Sequence, residues 1–390
     1  MALTPESSRS TVSGALFLGF AVASIGGPLA LLTLFPGTAG DGINSAGLVV
    51  LLGLLVFGAP LGIWLAFSGK IASGGGLSAF VEAAVGRRAA VVHGWIWALA
   101  YFLYLPYTVT FVVYDLLPPV FPGLTAYRSS LELVLPVVLV AIALAPLRPM
   151  LAALGLLAAG QLVLMVILAV VEFSHTSTHF AGHAVLSNSG LNDMGRATGN
   201  AALLFICASL PLYLAAEVRG GSRTVRRGLF AAVAIVGVAF LADAIPLAGV
   251  PNSLRGAAVP GAAIAQAYSG RGLAVAVGLV TAAGTLALII CEYVALARLI
   301  NWLHGPPVRS VLRWIAVPFI LADAISLVDP NRFYDDLLKP SLAALFVSQL
   351  VVFLAFPRFR RRPLAVGVAA VASALVLWGL YTVFFGAATS

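Results

Sequence analysis

Eleven apolar runs divide this sequence, at about 12–35, 46–68, 89–114, 130–147, 150–172, 198–216, 228–249, 272–297, 311–328, 338–356 and 364–386. A helix that crosses a bilayer uses about 20 mainly apolar residues. Most of the runs reach that length, so the chain predicts about eleven transmembrane helices joined by short loops. The composition agrees: 61% of residues are apolar and 9% are charged. A soluble domain carries about 25% charged residues. A soluble enzyme, a disordered protein and a nucleic-acid binder are thereby excluded. The expected fold class is an all-α polytopic membrane protein with a single transmembrane domain.

The net charge of +8 is explained by placement. With the amino terminus taken as cytoplasmic, most of the 22 basic residues fall in loops on that side, including Lys70, Arg87, Arg88, Arg219, Arg223, Arg226 and Arg227. Few fall opposite, among them Arg128, Arg196, Arg255 and Arg271. This positive-inside bias predicts a multi-pass protein of the inner (plasma) membrane with an extracytoplasmic carboxyl terminus. Cys207 and Cys291 both lie inside apolar runs and are read as reduced thiols.

Two of the runs are interrupted. Span 1 contains Ser24-Ile25-Gly26-Gly27-Pro28, and glycine and proline are poor residues for a helix interior. Span 6 contains Cys207-Ala208-Ser209-Leu210-Pro211, where the proline removes a backbone donor. Within a bilayer, unpaired backbone survives only when buried in protein or facing a water-filled cavity. Breaks in corresponding positions of two halves point to the binding site of a transporter.

Three stretches resemble the amino acid–polyamine–organocation permease superfamily. Gly75-Gly76, Phe80, Gly86 and Gly94-Trp95 follow the spacing of its segment entering span 3. Glu217-Val218-Arg219, then Arg223-Thr224-Val225-Arg226-Arg227, resembles its acidic–basic loop after span 6. Ser24-Ile25-Gly26-Gly27 resembles its break in span 1. The likeness covers most of residues 12–300. The chain departs from the family at Gly221 and Arg226, where prolines are usual, and at Cys207, Ala208 and Ser209, where Gly, an aromatic and an acid are usual. The resemblance implies a LeuT-type inverted repeat with broken helices 1 and 6. Its halves would span about 12–172 and 195–356, with an extra helix at about 364–386.

The backbone at the breaks has its own chemistry. A helix start presents free N–H groups and a partial positive charge, so the outer half of span 1, beginning near Gly26–Pro28, suits a carboxylate. Carbonyls freed at Cys207 and Ala208 suit an ammonium group. The expected substrate-binding residues are therefore Ser24, Ile25, Gly26, Gly27, Cys207, Ala208 and Ser209. The resemblance implies the same role for these positions. No charged residue lies near mid-membrane in spans 1, 3, 6 or 10, which points to a neutral amino acid or related amine. Trp97, Tyr101, Tyr104 and Thr108 fall within about 60° of one face of span 3. Tyr101 and Tyr104 are candidates for an aromatic wall over the substrate; packing is the alternative.

Three acids stand well inside the runs: Asp243, Glu292 and Asp323. A charged side chain there costs about 2.5–3.5 kcal/mol on insertion scales. Glu292 lies about 9 Å inside the inner edge, at 1.5 Å per residue from Arg298. It shares a stripe with Thr281 and Thr285. These three are the candidates for coupling to a proton or sodium ion; pairing of Glu292 with Arg298 or the inner loops is the alternative. Asp243 and Asp323 are expected to make scaffold hydrogen bonds. Span 5 carries Gln161 and no lysine.

No metal site and no cofactor beyond the coupling ion is expected. His175, His179 and His183 have helical spacing in a polar loop, which reads as exposed loop. His93 reads as structural. The run Arg358, Arg360, Arg361 and Arg362 fixes topology or contacts lipid. No Walker motif, nucleotide-binding glycine loop or zinc-protease motif occurs. The sequence thus predicts a secondary transporter of a small solute, with membrane lipid and no nucleic acid as surroundings. A ligand sensor on the same fold and a membrane-embedded enzyme stay open.

Overall fold

The computed structural model describes residues 11–176 and 190–385, apart from the side chain of Asp41 and the exposure of Gly42. Among the described residues, ten helices are long and apolar enough to cross a membrane: Gly14–Ala39, Ile43–Ser68, Arg87–Leu116, Pro122–Ala143, Leu147–Thr176, Leu191–Glu217, Gly221–Leu247, Arg271–His304, Pro330–Phe359 and Pro363–Phe385. Between the eighth and ninth of these stands Val308–Ser326. It is long enough but carries Arg309, Arg313 and Asp323. With it, spans 1–11 follow the eleven apolar runs in order.

Two sets of contacts show which helix ends meet. At one face, Val12 N–H donates to the Glu217 carbonyl (3.0 Å) and Arg219 N–H to the Val12 carbonyl (2.8 Å). Arg148 donates there to the Thr11 carbonyl at 3.0 Å, and Arg87 to the Leu303 carbonyl at 3.1 Å. We call this the basic face. At the opposite face, Arg255 donates to Asn44 at 3.1 Å and Asn200 to the Thr38 carbonyl at 2.7 Å. Small residues bring the spans close, as expected where lipid supplies no hydrophobic drive for association. A Cβ on Gly19 of span 1 would lie 2.8 Å from Gly155 of span 5.

Span 1 consists of two helices, Gly14–Ala23 and Pro28–Ala39. Gly26 and Gly27 between them take φ of 75° and 70°, backbone that favours glycine. Pro28 then opens the second helix, where its missing N–H costs nothing.

The break in span 6 differs from expectation. The α-helix Leu191–Leu203 ends four residues before Cys207, and Ile206–Glu217 continues as a 3-10 helix. Cys207, Ala208 and Ser209 therefore lie inside that 3-10 helix and not in the gap. Pro211 gives the reason. In α winding its ring would collide with the carbonyl four residues back, that of Cys207. Tighter winding starts just before that residue. Because 3-10 bonds join residues three apart, the carbonyl spared by Pro211 is that of Ala208 and not also that of Cys207.

The Gly75-Gly76 pair also finds a physical reason. It opens the short helix Gly76–Val85 between spans 2 and 3. A Cβ on Gly75 would lie 2.5 Å from the Trp302 ring, and one on Gly76 2.6 Å from the Tyr213 ring. The pair lets two large rings close on the backbone at the basic face. His93 fastens this helix to spans 3 and 10. Its Nε2 donates to the Ser348 carbonyl (3.1 Å), which leaves Nδ1 to accept from the Ser78 hydroxyl (2.8 Å).

Candidate functional site

Between the two breaks lies a cavity of about 740 Å³. It widens toward the opposite face, where Thr38, Asp193, Arg196 and Asn200 line its mouth. Its deep end is formed by Gly26, Tyr101, Cys207, Thr285 and Glu292, and Tyr104 stands along its wall. The structure thus brings together six of the substrate and coupling candidates, and Thr108 lines the cavity as well. Ser24, Ile25, Gly27, Ala208, Ser209 and Thr281 do not line it. Ser209 is turned to span 10, accepting from Gln349 at 3.1 Å. The hydroxyls of Thr281 and Thr285 donate to carbonyls of their own helix, at 2.7 and 2.9 Å.

Below this end the molecule is sealed. Trp97, fully buried, is wedged between Tyr101 and Tyr213, with ring centroids at 4.1 Å and the rings tilted by 36° and 38°. Trp97 is therefore part of the seal. Nearer the basic face, Arg298 pairs with Glu217 at 2.6 Å. That pair engages Arg298 with another acid, so Arg298 makes no ion pair with Glu292. Glu292 is fully buried, and neither of its oxygens has a hydrogen-bond partner among the described residues.

The helix start at the break of span 1 is less open to a carboxylate than expected. Pro28 has no N–H. The Leu29 N–H donates to Gln161 Oε1 at 3.2 Å, and the Ala30 N–H to the Gly27 carbonyl at 2.8 Å. Gln161 of span 5 serves as a cap on the second half of span 1. It lies against Gly27 and Gly284, where a Cβ would meet its amide at 3.1 and 2.4 Å.

Asp243 and Asp323 make no side-chain hydrogen bonds among the described residues, contrary to the scaffold role expected of them. Each faces an acid close to the end of an apolar run: Glu172 opposite Asp243, and Glu132 opposite Asp323. All four are buried. Burial, then the nearby Glu172, pushes the phenol of Tyr268 up from its ordinary value; this tyrosine lies in the helix Pro260–Ser269, outside the spans. His175 stacks on the same tyrosine at 4.5 Å, while His179 and His183 lie outside the described residues. The sequence also gave no hint of span 11 at the site, yet Thr382 and Val383 line the cavity mouth. Trp378 of that span donates to Asn200 at 3.1 Å.

No family model and no curated protein matches this sequence. Solved structures match it in shape. MhsT in complex with L-phenylalanine has a TM-score of 0.66 over 95% of this chain and 98% of its own, at 13% identity. An Eremococcus coleocola manganese transporter in complex with an aromatic bis-isothiourea substituted compound has a TM-score of 0.60, covering 100% of this chain and 93% of that one, also at 13% identity. A mutant of the same manganese transporter gives 0.64 with the same coverage and identity. The likeness shows the fold: the chain has the LeuT-type fold of these transporters, with its breaks in spans 1 and 6.

Proposed function

We propose that this protein is a secondary transporter. It moves a neutral amino acid or a related amine across the plasma membrane by alternating access, with the basic face cytoplasmic. One observation carries the proposal: a cavity open to one face ends on two helix breaks and an unpartnered carboxylate, while aromatic rings and an ion pair close the other face. Sites of this kind belong to folds whose halves rock about a mid-membrane centre. The solved neighbours bind L-phenylalanine in one case and transport manganese in the other. Permease superfamily membership belongs to the same proposal and rests on the motifs described above.

In this reading the amine is the anchored end of the substrate. Glu292 holds either a proton or the substrate ammonium group, because one buried carboxylate accepts one positive charge at a time. Tyr101 and Tyr104 offer ring faces to the same group, which attract cations. A carboxylate on the substrate meets fewer free donors, since Gln161 and Gly27 already occupy the Leu29 and Ala30 N–H groups. A sodium ion at carbonyls of span 1 and the lone pairs of Thr281 and Thr285 is the other coupling arrangement; hard cations take oxygen ligands.

A thermal-shift screen of purified protein tests the proposal, using amino acids, polyamines, simple amines and simple carboxylates, with and without sodium. Ligand at 100 times its dissociation constant adds about 2.7 kcal/mol of stability. Shifts from amine-bearing compounds, followed by their uptake into proteoliposomes, are expected. Binding without uptake would make the protein a sensor, and a response to carboxylates alone would overturn the substrate class.

A further inference from the structure

Away from the substrate cavity, spans 3, 4 and 9 enclose a second polar centre. Glu132 of span 4 and Asp323 of span 9 are both fully buried. Glu132 Oε1 accepts two hydroxyl protons, from Thr110 of span 3 at 2.5 Å and from Ser326 of span 9 at 2.7 Å. The Ser326 hydroxyl also lies 2.6 Å from the main-chain carbonyl of Asp323, so its one proton is shared between that carbonyl and Glu132. Glu132 Oε2 and both carboxylate oxygens of Asp323 have no partner among the described residues.

Among the described residues no cation pairs with either acid. Arg128, one turn away on span 4, donates instead to the Tyr114 carbonyl at 3.3 Å and lies over the Tyr114 ring. Span 10 presents Tyr334 and Asp335, and the end of span 3 presents Tyr114 and Asp115. Tyr293 of span 8 spends its hydroxyl on the Leu312 carbonyl. Two buried carboxylates near enough to repel each other in a dry interior do not both stay ionised. One positive equivalent must join them.

Access comes from the opposite face. A pocket of about 250 Å³ is lined by Thr110, Tyr114, Asp115, Asn331, Tyr334 and Asp335. Thr110 belongs to both places: it lines this pocket and bonds Glu132. A metal ion would need room for a coordination shell of several oxygens, whereas a proton needs only an acceptor.

We propose that Glu132 and Asp323 together hold one proton, supplied from the opposite face through the pocket lined by Asp115 and Asp335, and so form a proton site separate from Glu292. The proton rests on a free oxygen of Asp323, and the oxygen of Glu132 that accepts from Thr110 and Ser326 carries the remaining negative charge. The site is placed to sense the medium at the cavity mouth. Tyr334 of its pocket accepts from Tyr107 at 2.8 Å, and Tyr107 lines the substrate cavity.

Infrared difference spectroscopy on the purified, ligand-free protein tests this directly, since a protonated carboxylic acid has a C=O stretch that a carboxylate lacks. The wild type at neutral pH should show such a band, shifted in deuterated water. Asp323→Asn should lose part of its intensity, and Ser326→Ala, which keeps both acids, should move its frequency. Glu292→Gln should leave that component in place. Asp115→Asn with Asp335→Asn should slow its exchange with deuterated water. A spectrum unchanged by both Asp323→Asn and Ser326→Ala would overturn the proposal. So would a component that disappears on adding sodium, because the pair would then hold a metal cation.

Discussion

Span 1 breaks where two glycines in succession take positive φ, 75° at Gly26 and 70° at Gly27. Span 6 breaks with no positive φ between its α-helix and the 3-10 helix that follows. One break is made by residues able to leave helical backbone altogether, the other by a change of winding ahead of a proline. The difference extends to what supports each. Gln161 reaches from another span to cap the second half of span 1, whereas the 3-10 helix of span 6 is held mainly by its own backbone and by the contact of Ser209 with Gln349. A rigid, externally capped break and a rewound one therefore face each other across a single cavity.

Substitutions can break this contrast, and the largest effect is expected at Gly27. Gly27→Val places a side chain on left-handed backbone, at about 1–2 kcal/mol. It also crowds Gln161 and Gly284, at about 1–3 kcal/mol more. Gly26→Ala shares the φ but points into open space, its nearest neighbour being Leu31 at 3.8 Å. Thermal unfolding should show only the first cost there. Gln161→Leu should come next: it leaves the Leu29 N–H buried without an acceptor, worth about 1–3 kcal/mol. An unfolding temperature unmoved by this change would mean that span 1 does not depend on its cap. Ser209→Ala should cost no more than that, about 1–3 kcal/mol because the buried Gln349 amide loses its acceptor, and should leave ligand affinity unchanged because Ser209 faces away from the cavity. A loss of affinity would place span 6 differently from the structure described above.

The same contrast explains what the sequence disclosed. Gly-Gly-Pro marks a break by itself, because few other residues tolerate those dihedrals. Span 6 has a proline but no glycine at its break, and a proline tells only that winding changes somewhere before it. The number and order of the spans were legible from apolar runs, although Val308–Ser326 is more charged than its companions. Glu132 and Glu172 were missed because each stands within a few residues of the end of an apolar run, where an acid reads as interfacial. Their helices extend past the runs and bury them. Tyr213 and Trp302 were not visible as a seal; the only trace was the Gly75-Gly76 pair, whose missing side chains make room for both rings. Gln161 was noted as a polar residue in span 5, but its partner stands 132 positions away in sequence, a pairing that no local pattern reveals.

The central claim is that the substrate amine and a proton compete for Glu292 at the deep end of the cavity. The most direct test is the equilibrium binding of an amine identified by the thermal-shift screen, measured against pH on wild-type protein and on Glu292→Gln. In the wild type, binding should strengthen as pH rises and the carboxylate becomes free, and weaken as pH falls and it takes up a proton. In Glu292→Gln, affinity should drop at least tenfold, about 1.4 kcal/mol, and its pH dependence should flatten, while the unfolding temperature without ligand does not fall. Wild-type affinity and an intact pH profile in Glu292→Gln would contradict the account and move the amine site elsewhere in the cavity.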